Sequence, residues 1–228
     1  MRYSCWLKQA CPQIARSPHA CVGLGFIHQL IRLFEPRFSH KDYVYGIDPN
    51  RFLVQQAAVI PRGAHVLVPG DGEGRNGVWL ARQGMSVTAV DYSAVGLAKA
   101  KRLADRHGVA IETKCADLAT WVWPECQFDA VVAIFLHLPP EICPGIHRAM
   151  LRALRPGGWI ILQGFRPEQL GYASGGPRDV SWLYTSAMLT ADFAEATILL
   201  NEEELITLDE GPFHQGLAAT VSFVAQRR

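Results

Sequence analysis

The stretch from Val66 to Ser93, VLVPGDGEGRNGVWLARQGMSVTAVDYS, decides the fold of this chain. It begins with a short apolar run, which is typical of a strand buried on both faces. Pro69 and Gly70 end that run, and an amphipathic segment follows them. A second apolar run then ends at Asp91. The pattern predicts one strand–loop–helix–strand unit.

Three glycines stand at alternate positions after the first strand: Gly70, Gly72 and Gly74. Glycine lets a backbone approach a ligand closely, and the helix behind the loop presents N–H groups to it. Asp91 follows Gly70 by 91 − 70 = 21 residues. An acid about 20 residues on, at the tip of the second strand, can bind the ribose hydroxyls of a nucleotide. The unit therefore predicts a nucleotide site, and a glycine-rich turn that binds nothing is the alternative.

The register of the glycines distinguishes two classes of nucleotide. Gly72, Gly74 and Gly77 match the dinucleotide-binding pattern, which is a weak signal when it stands alone. That register places the first glycine beyond the point where Pro69 ends the strand. The loop Gly70–Gly74, GDGEG, has its first glycine at the strand end. It resembles motif I of class I S-adenosylmethionine-dependent methyltransferases.

Length and composition fit a single domain that binds a small molecule. A chain of 228 residues is within the range of one α/β domain. Its formal net charge of +1 gives no electrostatic argument for a nucleic-acid or membrane partner. The six cysteines lack C-x-x-C pairs and metal-ligand spacing, so we expect no metal site and a reducing, cytoplasmic location. No apolar run approaches the roughly 20 residues that span a bilayer, and the oligomeric state is not indicated.

Two segments stand apart from the regular pattern. Residues 1–37 form an N-terminal extension of undetermined role, in which the apolar spacing over 24–34 predicts a short helix. The domain proper spans residues 38–228. Within it, residues 164–190 contain many glycines and aromatic residues without periodicity. A long irregular connection is usually a functional lid or a disordered link, and the aromatic residues favour a lid over the acceptor site.

A helix is expected before the first strand of the domain. Asp48 is a good N-cap and Pro49 fits the first helical position, and the helix should end near Pro61. A helix in this place can lie over the cofactor cleft. Tyr43 and Tyr45, which precede it, could therefore contact a ligand or simply pack against the domain.

The next elements follow Asp91 directly. Ser93 should cap a helix that ends near His107, with Lys99 on its solvated face. Residues 109–113 predict the third strand. Asp117 lies just beyond it, at the edge where open α/β sheets bind ligands. Its carboxylate could accept a hydrogen bond from an adenine amino group, or it could cap the turn that follows.

The second half of the chain predicts the remaining strands. Residues 128–135 are the most apolar strand and should be central, and a helix begun by the following prolines should reach Leu154 before a strand over 159–163. Alternating strands and helices indicate right-handed parallel crossovers. The strands over 204–209 and 218–225 are joined by a short connector and must be antiparallel. This ending is unlike the dehydrogenase arrangement and resembles the seven-stranded methyltransferase fold.

The chain thus resembles the small bacterial class I methyltransferases related to tellurite-resistance and thiopurine S-methyltransferases. The matching segments run from Phe38 to the C-terminus: YVYGIDPNRFL, GDGEGRN, VTAVDYSAVGLAKA, FLHLPP, LRPGGWIIL, QLGYASGGP and LDEGPFHQG. The resemblance implies an α/β fold with a Rossmann-like, seven-stranded, mostly parallel sheet, a C-terminal antiparallel hairpin and helices on both faces. It implies S-adenosyl-L-methionine as cofactor and a small-molecule methyl acceptor.

The resemblance also implies which residues bind the cofactor. Gly70, Gly72 and Gly74 should line its methionine end, Asp91 its ribose, Tyr92 the adenine face and Asp117 the adenine amino group. The implied site further contains Tyr45, Asn76, Leu118, Ile134 and Phe135. Many relatives carry an acid where this chain has Val68, and Asp71 and Glu73 are nearby acids that could replace it.

Methyl transfer explains why no catalytic triad is evident. The sulfonium is a good leaving group, so the enzyme mainly aligns a nucleophile with the methyl carbon. Soft acceptors such as thiols or tellurium and selenium oxyanions need little help from a base, whereas a harder acceptor would need one. His137 and His214 are the candidate catalytic residues, each with a structural role as the alternative. A non-catalytic cofactor-binding regulator and a nicotinamide-dependent oxidoreductase are the rival functions.

Overall fold

The structure is a computed structural model that describes residues 37–228. The helix predicted over 24–34 lies outside these residues, as does the N-terminal extension apart from its last residue. No helix in the described part is both long and apolar enough to span a bilayer.

The described chain forms a three-layer α/β domain around one seven-stranded sheet. The strands are β1 (His65–Pro69), β2 (Ser86–Asp91), β3 (Glu112–Cys115), β4 (Phe128–Ile134), β5 (Leu154–Phe165), β6 (Ala196–Asp209) and β7 (Gln215–Arg227). The α-helices are α1 (Arg51–Gln56), α2 (Arg75–Arg82), α3 (Ala94–Arg106), α4 (Cys143–Ala153) and α5 (Ser186–Asp192). The strands lie in the sheet in the order β3-β2-β1-β4-β5-β7-β6.

The pairing of the strands confirms the predicted fold class. The first five strands pair in parallel, while β7 pairs antiparallel to both β5 and β6. The strand order reverses beside β1, which lies between β2 and β4. Open α/β sheets bind ligands outside the carboxyl ends of the strands at such a reversal. The topology therefore fixes where a site must lie.

Two apolar layers cover the two faces of the central strands. Along β4, Val131 and Ala133 pack in one cluster with residues of β5, β7 and α4. Val132 and Ile134 pack on the opposite face in a cluster that includes residues of α1 and α2. This alternation is the reason that β4 reads as an unbroken apolar run in the sequence. The prediction that β4 is a central strand is confirmed.

Two predicted boundaries in the first half of the chain are wrong. The N-cap of α1 is Asn50 rather than Asp48, and its side chain accepts a hydrogen bond from the Leu53 N–H at 2.9 Å. Strand β3 begins at Glu112, whereas 109–113 was expected. Val109 and Ile111 instead pack beside the end of α3, because the Val109 N–H donates to the Ala104 carbonyl and both side chains join the α3 cluster.

The other boundary corrections concern the second half of the chain. Helix α4 begins at Cys143, after the prolines that were expected to start it. Strand β5 starts directly at Leu154, with an irregular register where Arg155–Gly158 pass between its first and later pairs with β4. The terminal hairpin is also longer than the predicted strands, since β6 has 14 residues and β7 has 13.

Lys99 does not lie on a solvated face. Its side chain on α3 is buried, forms an ion pair with Glu73, and donates hydrogen bonds to the carbonyls of His40 at 3.1 Å and Asp42 at 2.7 Å. The segment before α1 covers this side of α3 and excludes water from it. Sequence periodicity places Lys99 correctly on the helix but cannot show which other segment packs against that position.

Gly74 permits the close approach of α2 and α3. A Cβ atom on Gly74 would lie 2.5 Å from the Ala100 Cβ, and the glycine has a φ of +89°. Gly84 has nearly the same φ, +88°, yet a Cβ there would meet nothing within 4 Å. The two positions separate the cost of crowding from the cost of the backbone conformation.

We predict that Gly74→Ala destabilises the domain far more than Gly84→Ala does. Both variants pay about 1–2 kcal/mol for a left-handed residue with a side chain, and Gly74→Ala adds about 1–3 kcal/mol for overpacking. Urea unfolding of the two variants and the parent gives the free energies of unfolding. Equal losses for the two variants would show that the helices can separate without cost.

Candidate active site

A cavity of about 520 Å³ opens at the carboxyl ends of β1, β2 and β4. This is the place that the reversal of strand order requires. Fourteen of the fifteen predicted site residues line it: Tyr45, Gly70, Asp71, Gly72, Glu73, Asn76, Asp91, Tyr92, Asp117, Leu118, Ile134, Phe135, His137 and His214. Gly74 is the exception, because it faces α3 rather than the cavity.

The glycine loop is fixed to the end of β2. The Gly70 N–H donates to the Val90 carbonyl at 2.7 Å, and the Gly72 N–H donates to Asp91 Oδ2 at 2.9 Å. Asp91 Oδ1 accepts from the Ser93 N–H at 2.8 Å. The Asp91 carboxylate is therefore held at the cavity wall by two backbone donors. Its contact with a ribose stays a prediction.

Asp117 performs the structural role that was the alternative for it. Its Oδ1 accepts from the Ala119 N–H at 3.0 Å and its Oδ2 accepts from the Thr120 hydroxyl at 3.2 Å, as expected for a residue that caps a turn. The same carboxylate lines the cavity. The turn fixes its orientation, and an additional contact with an adenine amino group stays a prediction.

The two tyrosines have different surroundings. The Tyr43 hydroxyl donates to the Lys99 carbonyl at 3.0 Å, which is a packing role. Tyr45 lines the cavity and places its ring 4.6 Å from the His214 ring, measured between centroids. Of the two, only Tyr45 is a candidate for ligand contact.

The residues proposed to replace the missing motif acid differ in availability. Val68 is fully packed in the core. Glu73 pairs with Lys99, and its Oε2 accepts from the Val44 N–H at 2.8 Å. Asp71 is buried at the start of α2, where its Oδ1 accepts from the Gly77 N–H at 3.2 Å and its Oδ2 has no hydrogen-bond partner among the described residues. Burial raises the pKa of Asp71 to about 8.

His137 is engaged through both of its ring nitrogens. Nε2 accepts from the Phe165 N–H at 3.0 Å, so Nδ1 carries the proton and donates to the Trp182 carbonyl at 2.9 Å. Burial lowers the pKa of His137 to about 4, which keeps the ring neutral. A base needs an available lone pair, and the structure therefore favours the structural alternative for His137.

His214 lies in a different position from the one that the hairpin sequence predicts. The tip was expected to project Phe213, His214 and Gln215 together, but Phe213 and Gln215 are exposed while His214 is only 6% exposed. Its ring turns inward and packs against Tyr45, Phe135 and Phe165. Burial lowers its pKa, an effect that Glu210 partly offsets. The neutral ring lines the cavity and can accept a proton.

Sequence reasoning missed the polar network behind His214. Glu210 Oε2 accepts from Arg75 Nη2 at 2.7 Å, and its Oε1 accepts from Asn50 Nδ2 at 3.0 Å. The Asn50 amide also donates to Gln163 Oε1 at 2.8 Å. One signal was present in the sequence: an arginine at the first position of a helix opposes the helix dipole and calls for an acidic partner. The sequence does not show that the partner is Glu210.

The segment predicted to be a lid contributes to the cavity wall. Gly176 to Asp179 and Trp182 line it. A Cβ on Gly175 would lie 2.8 Å from His214 Cδ2, and one on Gly176 would lie 2.9 Å from Phe165 Cδ2, so the glycine pair permits close contact with both rings. This position agrees with a lid over the acceptor site. The movement of the segment stays a prediction.

The donor set of the cavity fits S-adenosylmethionine. A carboxylate at the end of β2 suits a ribose diol, the apolar surfaces of Leu118 and Ile134 suit a purine, and the start of α2 presents backbone N–H groups. A cavity of about 520 Å³ is within the size range of cofactor sites.

Comparison with known proteins agrees with this geometry. Residues 66–158 match the family model described as "Methyltransferase domain". No curated protein matches the chain in a sequence comparison.

Three solved structures show the fold. The chain aligns with a structure titled "Conversion of a Disulfide Bond into a Thioacetal Group during Echinomycin Biosynthesis" at 21% identity and a TM-score of 0.68, over 87% of this chain and 92% of that one. TehB from Haemophilus influenzae aligns at 20% identity and a TM-score of 0.63, over 86% and 66%. The N-methyltransferase NodS from Bradyrhizobium japonicum, in complex with S-adenosyl-L-homocysteine, aligns at 15% identity and a TM-score of 0.65, over 86% and 97%.

The fold is that of class I methyltransferases. The matched domain, residues 66–158, contains most of the predicted cofactor residues that line the cavity. Residues 66–158 thus carry a methyltransferase domain, and the donor set of the cavity fits S-adenosylmethionine as its cofactor.

Asp71 supplies a pH-dependent prediction. Because its folded-state pKa is about 8, above the ordinary 3.8, the folded protein binds an extra proton between these values, and stability falls as pH rises through this window. The Asp71→Asn side chain cannot ionise. The free energy of unfolding of this variant should therefore increase relative to that of the parent as pH rises from 5 to 8.5. Urea titrations at several pH values measure this. The exposed Asp105→Asn is the control and should differ from the parent by a constant amount. A pH-independent difference for Asp71→Asn would contradict the burial argument.

Proposed function

We propose that this protein transfers the methyl group of S-adenosylmethionine to a small-molecule acceptor with a soft nucleophile, such as a thiol or a tellurium or selenium oxyanion. The observation that carries the proposal is that one cavity holds both the predicted nucleotide residues and a wall of aromatic rings. Asp91 and Asp117 belong to the predicted nucleotide residues. The rings of Phe135, Phe165 and His214 form the aromatic wall.

The aromatic wall supports a soft, polarisable acceptor. The Phe135 and Phe165 rings stack with centroids 4.5 Å apart, and His214 meets the edge of Phe135 at 4.7 Å. Such a surface excludes water and offers few hydrogen bonds, which favours a polarisable sulfur, selenium or tellurium atom as the nucleophile. Phe135 itself has a φ of +52°, a rare conformation for a residue with a side chain. Backbone strain of this kind persists at functional sites.

The residues of the chain bind and orient the acceptor and remove its proton. S-adenosylmethionine, when bound, supplies an electrophilic methyl group. The cavity walls align the acceptor and keep water out, which is most of what this reaction needs. His214 would accept the proton of an acceptor that is protonated at neutral pH, since its lowered pKa leaves the ring neutral there.

The similarity to TehB and to the structure from echinomycin biosynthesis is a likeness of fold, so the acceptor class rests on the cavity wall. We keep a small molecule as the proposed partner, without nucleic acid or membrane. The cytoplasm is the proposed compartment, which the lack of disulfides among the cysteines of residues 37–228 supports.

Transfer of isotope from methyl-labelled S-adenosylmethionine tests the acceptor class. We expect labelled product with small thiols, thiopurines, tellurite or selenite, and at most weak labelling with phenols, because a hard oxygen needs stronger activation. The Asp91→Ala variant serves as the control for cofactor-dependent labelling. Efficient transfer to phenols alone would refute the soft-nucleophile proposal, and no transfer to any acceptor would favour the regulatory alternative.

His214→Ala tests the proposed base. If His214 removes a proton, kcat should fall by about 10²–10⁴ for acceptors that are protonated at neutral pH, with cofactor affinity nearly unchanged. Ionised acceptors should lose much less. The matched control is His65→Ala, an exposed histidine at the amino end of β1, opposite the cavity. A loss confined to KM, equal for both kinds of acceptor, would show that His214 only orients the acceptor.

A further inference from the structure

Glu210 lies behind the aromatic wall and contacts two side chains from distant parts of the chain, Asn50 and Arg75, and the nearby ring of His214. It directly follows β6, at the start of the hairpin turn, and is only 9% exposed. Its carboxylate accepts hydrogen bonds from Asn50 and Arg75 and lies 3.5 Å, through Oε2, from His214 Nδ1. The acceptor reaction as described so far assigns no role to these contacts.

The two nitrogens of His214 have unequal surroundings. Nδ1 faces the Glu210 carboxylate, which can only accept hydrogen bonds when it is ionised. Burial opposes the ionisation of Glu210, but the hydrogen bond from His214 and the charge and hydrogen bond of Arg75 outweigh it and lower the carboxyl pKa to about 2, so the group is ionised at neutral pH. Nε2 makes no hydrogen bond within residues 37–228. A proton on Nδ1 satisfies the first contact and leaves the lone pair on Nε2.

We propose that Glu210 is a positioning residue that holds His214 in the tautomer with the proton on Nδ1 and the lone pair on Nε2. The tautomer follows from the contacts alone. Its use, the acceptance of an acceptor's proton by Nε2, rests on the proposed function. The 3.5 Å separation is long, as is common before ligands tighten a catalytic hydrogen bond.

The charges around His214 explain how a carboxylate can orient the ring without charging it. Glu210 raises the histidine pKa, whereas burial and the neighbouring Arg75 and Arg37 lower it, and the net direction is down. The titratable rings nearby are uncharged, because burial lowers the pKa of His137 to about 4 and raises the pKa of Tyr45. Arg75 therefore balances the charge of Glu210, and the carboxylate acts mainly through its geometry.

Glu210 is itself held in place from two sides. Asn50 bridges it to Gln163, whose Nε2 donates to the Ser222 hydroxyl at 3.0 Å in β7. Within the hairpin, the Glu210 N–H donates to the His214 carbonyl at 2.9 Å. Side chains outside the hairpin thus fix the carboxylate, and a backbone hydrogen bond fixes the distance between Glu210 and His214.

The experiment is long-range ¹H–¹⁵N NMR of protein labelled with [¹⁵N]histidine and saturated with S-adenosylhomocysteine, titrated in pH. His214→Gln assigns the signal. In the parent we expect His214 as a neutral ring with its proton on Nδ1. In Glu210→Gln, loss of a charged hydrogen bond should shift the tautomer ratio toward Nε2–H by about tenfold or more, and the ring pKa should fall. Asp209→Asn, an exposed carboxylate beside it, should change neither.

Two results would overturn the proposal: a parent His214 with its proton on Nε2, or a folded Glu210→Gln protein whose tautomer and titration match the parent. If the unpaired Arg75 prevents Glu210→Gln from folding, the double variant Arg75→Met/Glu210→Gln removes the buried charge as well. The measurement needs no methyl acceptor. Failure of methyl transfer would therefore refute the proposed function and leave the tautomer result standing.

Discussion

A single buried carboxylate, that of Glu210, fixes the wall of the cavity on which the proposed chemistry depends. An ion removed from water costs several kcal/mol unless partners replace the water. Asn50 and Arg75 provide those hydrogen bonds, from positions 160 and 135 residues away in sequence. The start of α1, the start of α2 and the turn of the terminal hairpin must therefore meet at one place.

A second buried ion pair closes the same side of the domain. Glu73 in the glycine loop pairs with Lys99 on α3, and both also bind the segment before α1, through the Val44 N–H and the carbonyls of His40 and Asp42. These contacts bring that segment over the loop, so that Tyr45 reaches the cavity. The cover of the site is thus built by polar contacts, while the sheet beneath it is built by apolar ones.

The two cavity histidines show how surroundings separate residues of one type. His137 contacts the Trp182 carbonyl and the Phe165 N–H, which use both nitrogens and keep the ring neutral. His214 contacts a carboxylate at one nitrogen only. The sequence places both residues at the carboxyl edge of the sheet and cannot distinguish them. Only the hydrogen bonds of the folded chain assign a structural role to one and leave the other as a candidate base.

The sequence by itself determined the features that depend on neighbouring residues. The apolar runs of β1 and β4, the loop Gly70–Gly74, the position of Asp91 and the terminal hairpin all follow from local pattern, because strand periodicity, glycine conformation and short connectors act over a few residues.

What only the tertiary structure decided depends on contacts between distant segments. Burial of Lys99, the packing of Gly74 against Ala100 and the inward turn of His214 each require a partner that local pattern does not identify. The shift of β3 to Glu112 has the same origin, since Val109 and Ile111 are used to pack the end of α3. Periodicity shows that a side chain is polar or apolar, but its role is set by the groups that surround it once water is excluded.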